Sequence, residues 1–147
     1  MNQTSNERIL EKDFASPKYC RNLALAGLDA RLPFFWKIYG NSCFLNSYAF
    51  DKDGIYENRA ATVDSLVPPT ITLPAFSISD LDKVLPDYSV SRQNNNYIVR
   101  IKSTETKELA IVGPTLADAM AITATILLHT KKICLENAID ILNIKAT

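Results

Sequence analysis

The chain is poor in the residues that most often carry chemistry. It holds one histidine, His129, and three cysteines, Cys20, Cys43 and Cys134. The cysteines are odd in number and form no Cys-x-x-Cys pair, and a single histidine cannot complete a Cys/His zinc site. The expectation is three reduced, mostly buried thiols, with no metal and no cofactor. Glycine is scarce as well: the four glycines fit neither GxGxxG nor GxxxxGK, so no phosphate-cradling loop is expected. No GxSxG elbow or kinase signature occurs. Neither sign of charge is in excess, because 16 Lys and Arg balance 16 Asp and Glu. Residues 1–87 carry a net −2 and residues 88–147 a net +2, too small a split to imply extended nucleic acid or a membrane surface. No apolar run reaches the ~20 residues of a bilayer span. The longest, within 108–132, is broken by Gly113-Pro114, Asp118 and several threonines. The opening MNQTSNERILEKDF lacks the apolar stretch of a secretory signal, so a cytoplasmic protein is expected.

What is present suffices for a core. Apolar residues make up 47% of 147 residues, and a chain of this size buries roughly two thirds of its unfolded surface without a staple. A mobile segment over 1–14 and a single domain over 15–147 are expected. Ser16 as cap, Pro17 at the first position and Gly27 as stop predict a helix over 17–26. LPFFWKIYG (32–40) and SCFLNSYAF predict a hairpin, strands 34–39 and 42–49, turning at Gly40-Asn41. Alternation places Phe34, Trp36 and Ile38 on one face and Phe35, Lys37 and Tyr39 on the other. Residues 51–75 read as a long Pro-containing connection, extended and irregular: a functional arm, an oligomer contact or a neutral insertion. DKDG is a turn within it. Ser79 is the expected cap of a short helix over 80–85, with Asp80 and Asp82 in its first turn and Pro86 after it. Strands over 88–92, 97–103 and 108–113, separated by NNN and TETK turns, form a meander. Thr115-x-x-Asp118 reads as a capping box opening a long helix with Leu116, Ala119, Met120, Thr123, Ile126 and Leu127 on one face. A last helix is expected over 135–143. The fold class is α+β: an antiparallel sheet of about five strands, hairpin plus three-strand meander, with helices packed on one side.

Three motifs occur in order: FFWKI, AFSISDLDKVLP and TLADAMAITATILL. Together they resemble a set of small uncharacterised proteins encoded by gut Bacteroidales genomes and by their phages and mobile elements. Those proteins carry an aromatic pair before Trp, a segment like Ala-Phe-Thr-x-x-Glu-Leu-x-x-x-Leu-Pro, and Thr-x-Ala-Asp-Ala opening a helix. The matching positions are Phe34, Phe35 and Trp36; Ala75, Phe76, Leu81, Leu85 and Pro86; and Thr115, Ala117, Asp118 and Ala119. The resemblance spans residues 14–130; the 51–74 connection is longer than usual, and 131–147 adds a helix. Most matched positions are caps and core, so the resemblance implies a fold and a phage or mobile-element setting, with no catalytic residue to carry over.

Among residues able to do chemistry, Asp51, Asp53 and Gly54 miss the spacing of a calcium loop. Asp80 and Asp82, two apart on a helix, do not face each other. His129 lies near a helix C-terminus with no partner in sequence. Arg92, Arg100, Lys102 and Lys107 are the better candidates: Arg100 and Lys102 share a strand face, Arg92 could join them, and arginine grips oxyanions bidentately. Phe35 and Tyr39, on the less covered strand face, are candidates for stacking on a ligand or meeting a partner. The resulting expectation is a non-enzymatic accessory protein, homo-oligomeric, that binds or sequesters a host protein or a small anionic nucleotide through Phe35, Tyr39, Arg92, Arg100 and Lys102. The setting adds an anti-defence role. The alternatives are an assembly component of a phage particle and, third, a small enzyme.

Overall fold

The computed structural model describes residues 12–28, 30, 32–39, 42–47, 49–50, 56–57, 70–102 and 107–143. Its helices are α1 (Pro17–Leu25), α2 (Ile78–Val84), α3 (Leu116–His129) and α4 (Leu135–Leu142). Residues at the ends set each one. After α1, Gly27 takes φ +102°, so that its N–H bonds Ala24 O and the Leu28 N–H bonds Leu23 O, both at 3.0 Å. That paired closure needs a left-handed residue, which glycine supplies without a Cβ penalty. The same closure follows α3: the Lys131 N–H bonds Leu128 O at 3.2 Å and the Lys132 N–H bonds Leu127 O at 2.8 Å. There the left-handed position is held by Lys131, φ 60°.

Two expected caps differ. The cap of α2 is Ser77, not Ser79: the Asp80 N–H donates to Ser77 Oγ and the Ser77 N–H to Asp80 Oδ2, each at 3.0 Å. Ser77-x-x-Asp80 and Ser79-x-x-Asp82 both fit a capping box. The first wins because Ser77 is held extended by a bridge to Phe14, while the Ile78 N–H bonds Asp13 O at 2.8 Å. Ser16 makes no side-chain cap on α1. Its N–H and its hydroxyl instead donate to Asp118, at 2.7 and 2.9 Å. Thr115 caps α3 by accepting from the Asp118 N–H at 3.1 Å, so the box expected there is only half made: the Asp118 carboxylate has gone to Ser16.

The strands are β1 (Phe34–Tyr39), β2 (Ser42–Ser47), β3 (Ala49–Phe50), β4 (Tyr56–Glu57), β5 (Thr70–Pro74), β6 (Ser89–Gln93), β7 (Asn96–Lys102) and β8 (Glu108–Gly113). The fold is α+β, but hairpin and meander do not join into one five-stranded sheet. Two antiparallel three-stranded sheets form, ordered β2-β1-β5 and β6-β7-β8, beside a β3-β4 ribbon. The difference lies in residues 70–74, expected to be irregular. They pair with β1 from Phe35↔Pro74 to Tyr39↔Thr70, giving the hairpin its own third strand. Pro74 sits at the strand end, where a missing N–H is tolerated. The turns expected at 40–41 and 51–54, all but Lys107 of the one at 104–107, and residues 1–11 of the N-terminal segment lie outside the described residues. Asp13 and Phe14, expected to be mobile, are tied to α2 as above.

Helix α3 packs on β7 and β8 and also on α1 and α2, while α1 lies against β5. A helix with neighbours on several sides cannot keep a single apolar face. Ala117, Ala119, Ala121, Ala124, Met120 and Thr123 of α3 are all fully buried. The alanines let backbones approach: a Cβ on Gly113 of β8 would lie 2.6 Å from the Ala119 nitrogen. Leu23, Leu28, Phe76, Leu81 and Val99 complete the centre of the core, each large side chain stabilising by about 1.5–3 kcal/mol. Trp36 joins them and donates from Nε1 to Ala15 O at 2.9 Å. Among the described residues no helix is long and apolar enough to cross a membrane.

Candidate functional site

The aromatic candidates separate. Phe35 is 1% exposed, so its ring does not offer a surface to a ligand or partner. The second face was expected to be only half covered; β1 is the central strand, flanked by β2 and β5, and Phe35 and Lys37 on that face are both buried. The Lys37 Nζ lies 6.0 Å from the Phe35 ring centroid. Tyr39 closes β1 opposite Ser42 and Thr70, and its side chain lies outside the described residues.

The basic candidates are divided by register. Directly paired residues on antiparallel strands share a face. Arg92 pairs with Tyr97, and its guanidinium carbon lies 5.4 Å from that ring's centroid, a cation–π contact. Tyr97, Val99 and Ile101 form the core face of β7, so Arg92 stands on the opposite side of the sheet from Arg100 and Lys102. The three do not form one cluster. Arg100 is held on the outer face between two neighbours. Nη1 donates to Ser91 Oγ at 2.6 Å, and Nε pairs with Glu108 Oε1 at 3.2 Å. This ion pair is largely exposed, and such pairs stabilise by about 0–1 kcal/mol. Its effect is to fix the guanidinium and cancel its charge. Exposed Val112 and buried Ile98 form the apolar half of the same outer face.

Arg100 and Lys102 border an open cleft of about 540 Å³ with Pro86, Asp87, Tyr88 and Glu108. Two cations meet two carboxylates there, so the lining carries no net charge to draw an anion. A second cleft, about 610 Å³, gathers Asp13, Phe14, Phe34, Ile78, Asp82 and Tyr88. Several of its polar groups are engaged: Asp80 caps α2, and Asp82 Oδ1 accepts from the Tyr88 hydroxyl at 2.7 Å. Burial, and then the bond to Asp82, push the Tyr88 phenol up to about 12. Among the described residues no group of His, Cys, Asp and Glu could hold a metal. Cys20 is buried and its thiol is pushed up to about 12, mainly by desolvation, whereas Cys43 and Cys134 are exposed. His129 is exposed at the end of α3.

A third feature escaped the sequence reading. A groove of about 540 Å³ runs between the free edge of β8 and the last turns of α3, lined by Lys107, Glu108, Leu109, Ile126, Leu127, Thr130 and Lys132. Lys131 and Lys132 read in sequence as helix-end charges, and nothing local shows that β8 stops beside them. No family model, no curated protein and no solved structure matches the chain.

Proposed function

We propose that this is a non-enzymatic protein that acts by contact, an accessory factor of a phage or mobile element that binds and occupies a host protein in the cytosol. The observation that carries the reading is the outer face of β6-β7-β8. Exposed Val112 adjoins an arginine already fixed by Ser91 and Glu108. A pre-ordered arginine beside apolar surface is what protein interfaces favour, since little side-chain entropy remains to be lost on binding. The neutral lining around Arg100 and Lys102 favours a protein partner over a small anionic nucleotide. Three of the less exposed groups that could serve catalysis are engaged otherwise: Asp118 anchors Ser16, Asp80 caps α2, and the Cys20 thiol is buried in its neutral form. The phage setting and the anti-defence role rest on the motif resemblance alone.

The test compares wild type with the double variant Arg100→Ala/Val112→Asp as baits in host cytosol, after both are matched for thermal stability. The expected result is a host protein held by wild type and lost by the variant. Equal retention by both would sink the assignment of this face. A rise in Tm with mono-, di- or cyclic nucleotides would replace the protein partner by a nucleotide, since a ligand at about 100 times its Kd adds ~2.7 kcal/mol. Light scattering measures the expected self-association, and a strict monomer removes the homo-oligomer from the proposal.

A further inference from the structure

The register of the second sheet determines which backbone groups of β8 are unused. Asn94 and Asn95 both take positive φ, 50° and 67°, in a two-residue turn between Gln93 and Asn96. Such a primed turn makes its flanking residues a hydrogen-bonded pair, and bonded and non-bonded pairs then alternate along the ladder. Asn96, Ile98 and Arg100 therefore direct their N–H and C=O groups to β6, and Tyr97, Val99 and Ile101 direct theirs to β8. The partners of the latter are Gly113, Ile111 and Leu109. Glu108, Ala110 and Val112 are left pointing outward along the edge. All three are exposed, and among the described residues β8 pairs with no strand but β7. Immediately beside this edge lies the groove floored by Leu109, Ile126 and Leu127, with Lys132 on its rim and exposed Lys131 next to it. Glu108 lines the groove too, but its Oε1 pairs with Arg100 Nε at 3.2 Å, and among the described residues no carboxylate pairs with Lys132. The carbonyls ending α3 would repel an anion, but those of Ile126, Leu127 and Leu128 already accept from the Thr130, Lys132 and Lys131 N–H groups.

We infer that β8 is an acceptor for an extended acidic peptide, which adds to the sheet as a fourth strand and sets an apolar side chain on Leu109, Ile126 and Leu127 with a carboxylate at Lys132. Strand addition takes its affinity from main-chain bonds and its specificity from alternate side chains entering a pocket. The inference rests on the contact-acting reading and gives it a partner chemistry, at the strand edge and groove that border the Arg100 face. The experiment is selection of displayed random heptapeptides on the whole chain, followed by amide exchange with the best binder. The expected outcome is enrichment of peptides alternating apolar and acidic residues, which slow exchange at Ala110 and Val112. Lys132→Glu should weaken the selected peptide about tenfold, the scale of one lost charge contact. Ala110→Pro should abolish binding while the fold persists, because proline is tolerated on an edge whose N–H faces outward. No enrichment, enrichment of basic peptides, or binding untouched by both substitutions would overturn the inference. So would protection of Ala110 that grows with protein concentration in the absence of peptide, which would assign the edge to a second copy. Any of these failures leaves the host-protein capture at the outer face to be judged by its own baits.

Discussion

Removing the Asp118 carboxylate tests whether α1 and α3 are held together by one buried anion. Asp118 is 2% exposed and accepts from the Ser16 N–H at 2.7 Å and the Ser16 hydroxyl at 2.9 Å. Hydrogen bonds to a charged group contribute about 1.5–3 kcal/mol each. The low end applies because Ser16 is half-buried, so water can reach it once the carboxylate is gone. Two such bonds come to about 3 kcal/mol, offset by ~0.5 kcal/mol from the better helix propensity of alanine. Asp118→Ala should therefore cost about 2.5 kcal/mol, seen in urea unfolding followed by circular dichroism, or a fall in Tm of roughly 5–10 °C at this chain length. Ser16→Ala removes only the hydroxyl bond and should cost about 1.5 kcal/mol. Asp118→Asn keeps the shape and one acceptor and should cost about 1 kcal/mol. In the double-mutant cycle the two alanine substitutions should couple by about 1.5 kcal/mol. If Asp118→Ala unfolds within ~0.5 kcal/mol of wild type, the chain of reasoning from buried carboxylate to tertiary clamp is wrong.

Four other outcomes follow from the same structure. Trp36→Ala should cost about 3–5 kcal/mol, and Trp36→Phe about 1–2 kcal/mol for the bond from Nε1 to Ala15 O that it loses; chemical denaturation measures both. Lys131→Gly should stabilise by about 0.5–1 kcal/mol, because Lys131 occupies a left-handed position at φ 60° that only glycine adopts without a Cβ clash; an unchanged midpoint would count against that geometry. In the folded protein a thiol reagent should modify Cys43 and Cys134 quickly and Cys20 only after denaturant is added, since Cys20 is buried and its thiol is pushed up to about 12. The Tyr88 phenol is raised from 10 to about 12, so its contribution to stability is intact below pH 10 and is lost as pH rises from 10 through 12. Tyr88→Phe should flatten that part of the profile, and ultraviolet difference spectroscopy should show one late-ionising phenol missing.

The sequence reading of the site failed and succeeded for identifiable reasons. Phe35 looked open because alternation says which residues share a face but not whether that face is covered. Joining Arg92 to Arg100 requires a particular pairing register that the sequence leaves open, and the observed register puts Arg92 over Tyr97 on the other side. Arg100 and Lys102 were correctly placed together, because two positions apart on one strand always share a face. The β8 groove needed the spatial meeting of a strand edge and a helix end, which no window of sequence contains.

By itself the sequence determined what interactions within a few residues can decide. Gly27 stops α1, Thr115 opens α3, and Asn94-Asn95 turns β6 into β7, whereas the choice of Ser77 over Ser79 as cap of α2 came from the distant bridge to Phe14. Each of the first three depends on dihedral preferences or on groups three or four positions apart, so the local chain contains both partners. Tertiary structure alone decided that Thr70–Pro74 pairs with β1, that Ser16 reaches Asp118 across 102 positions, and that Arg100 is neutralised while Phe35 is enclosed. Those outcomes are competitions among many distant surfaces, settled by which arrangement buries the most apolar area without stranding a polar group.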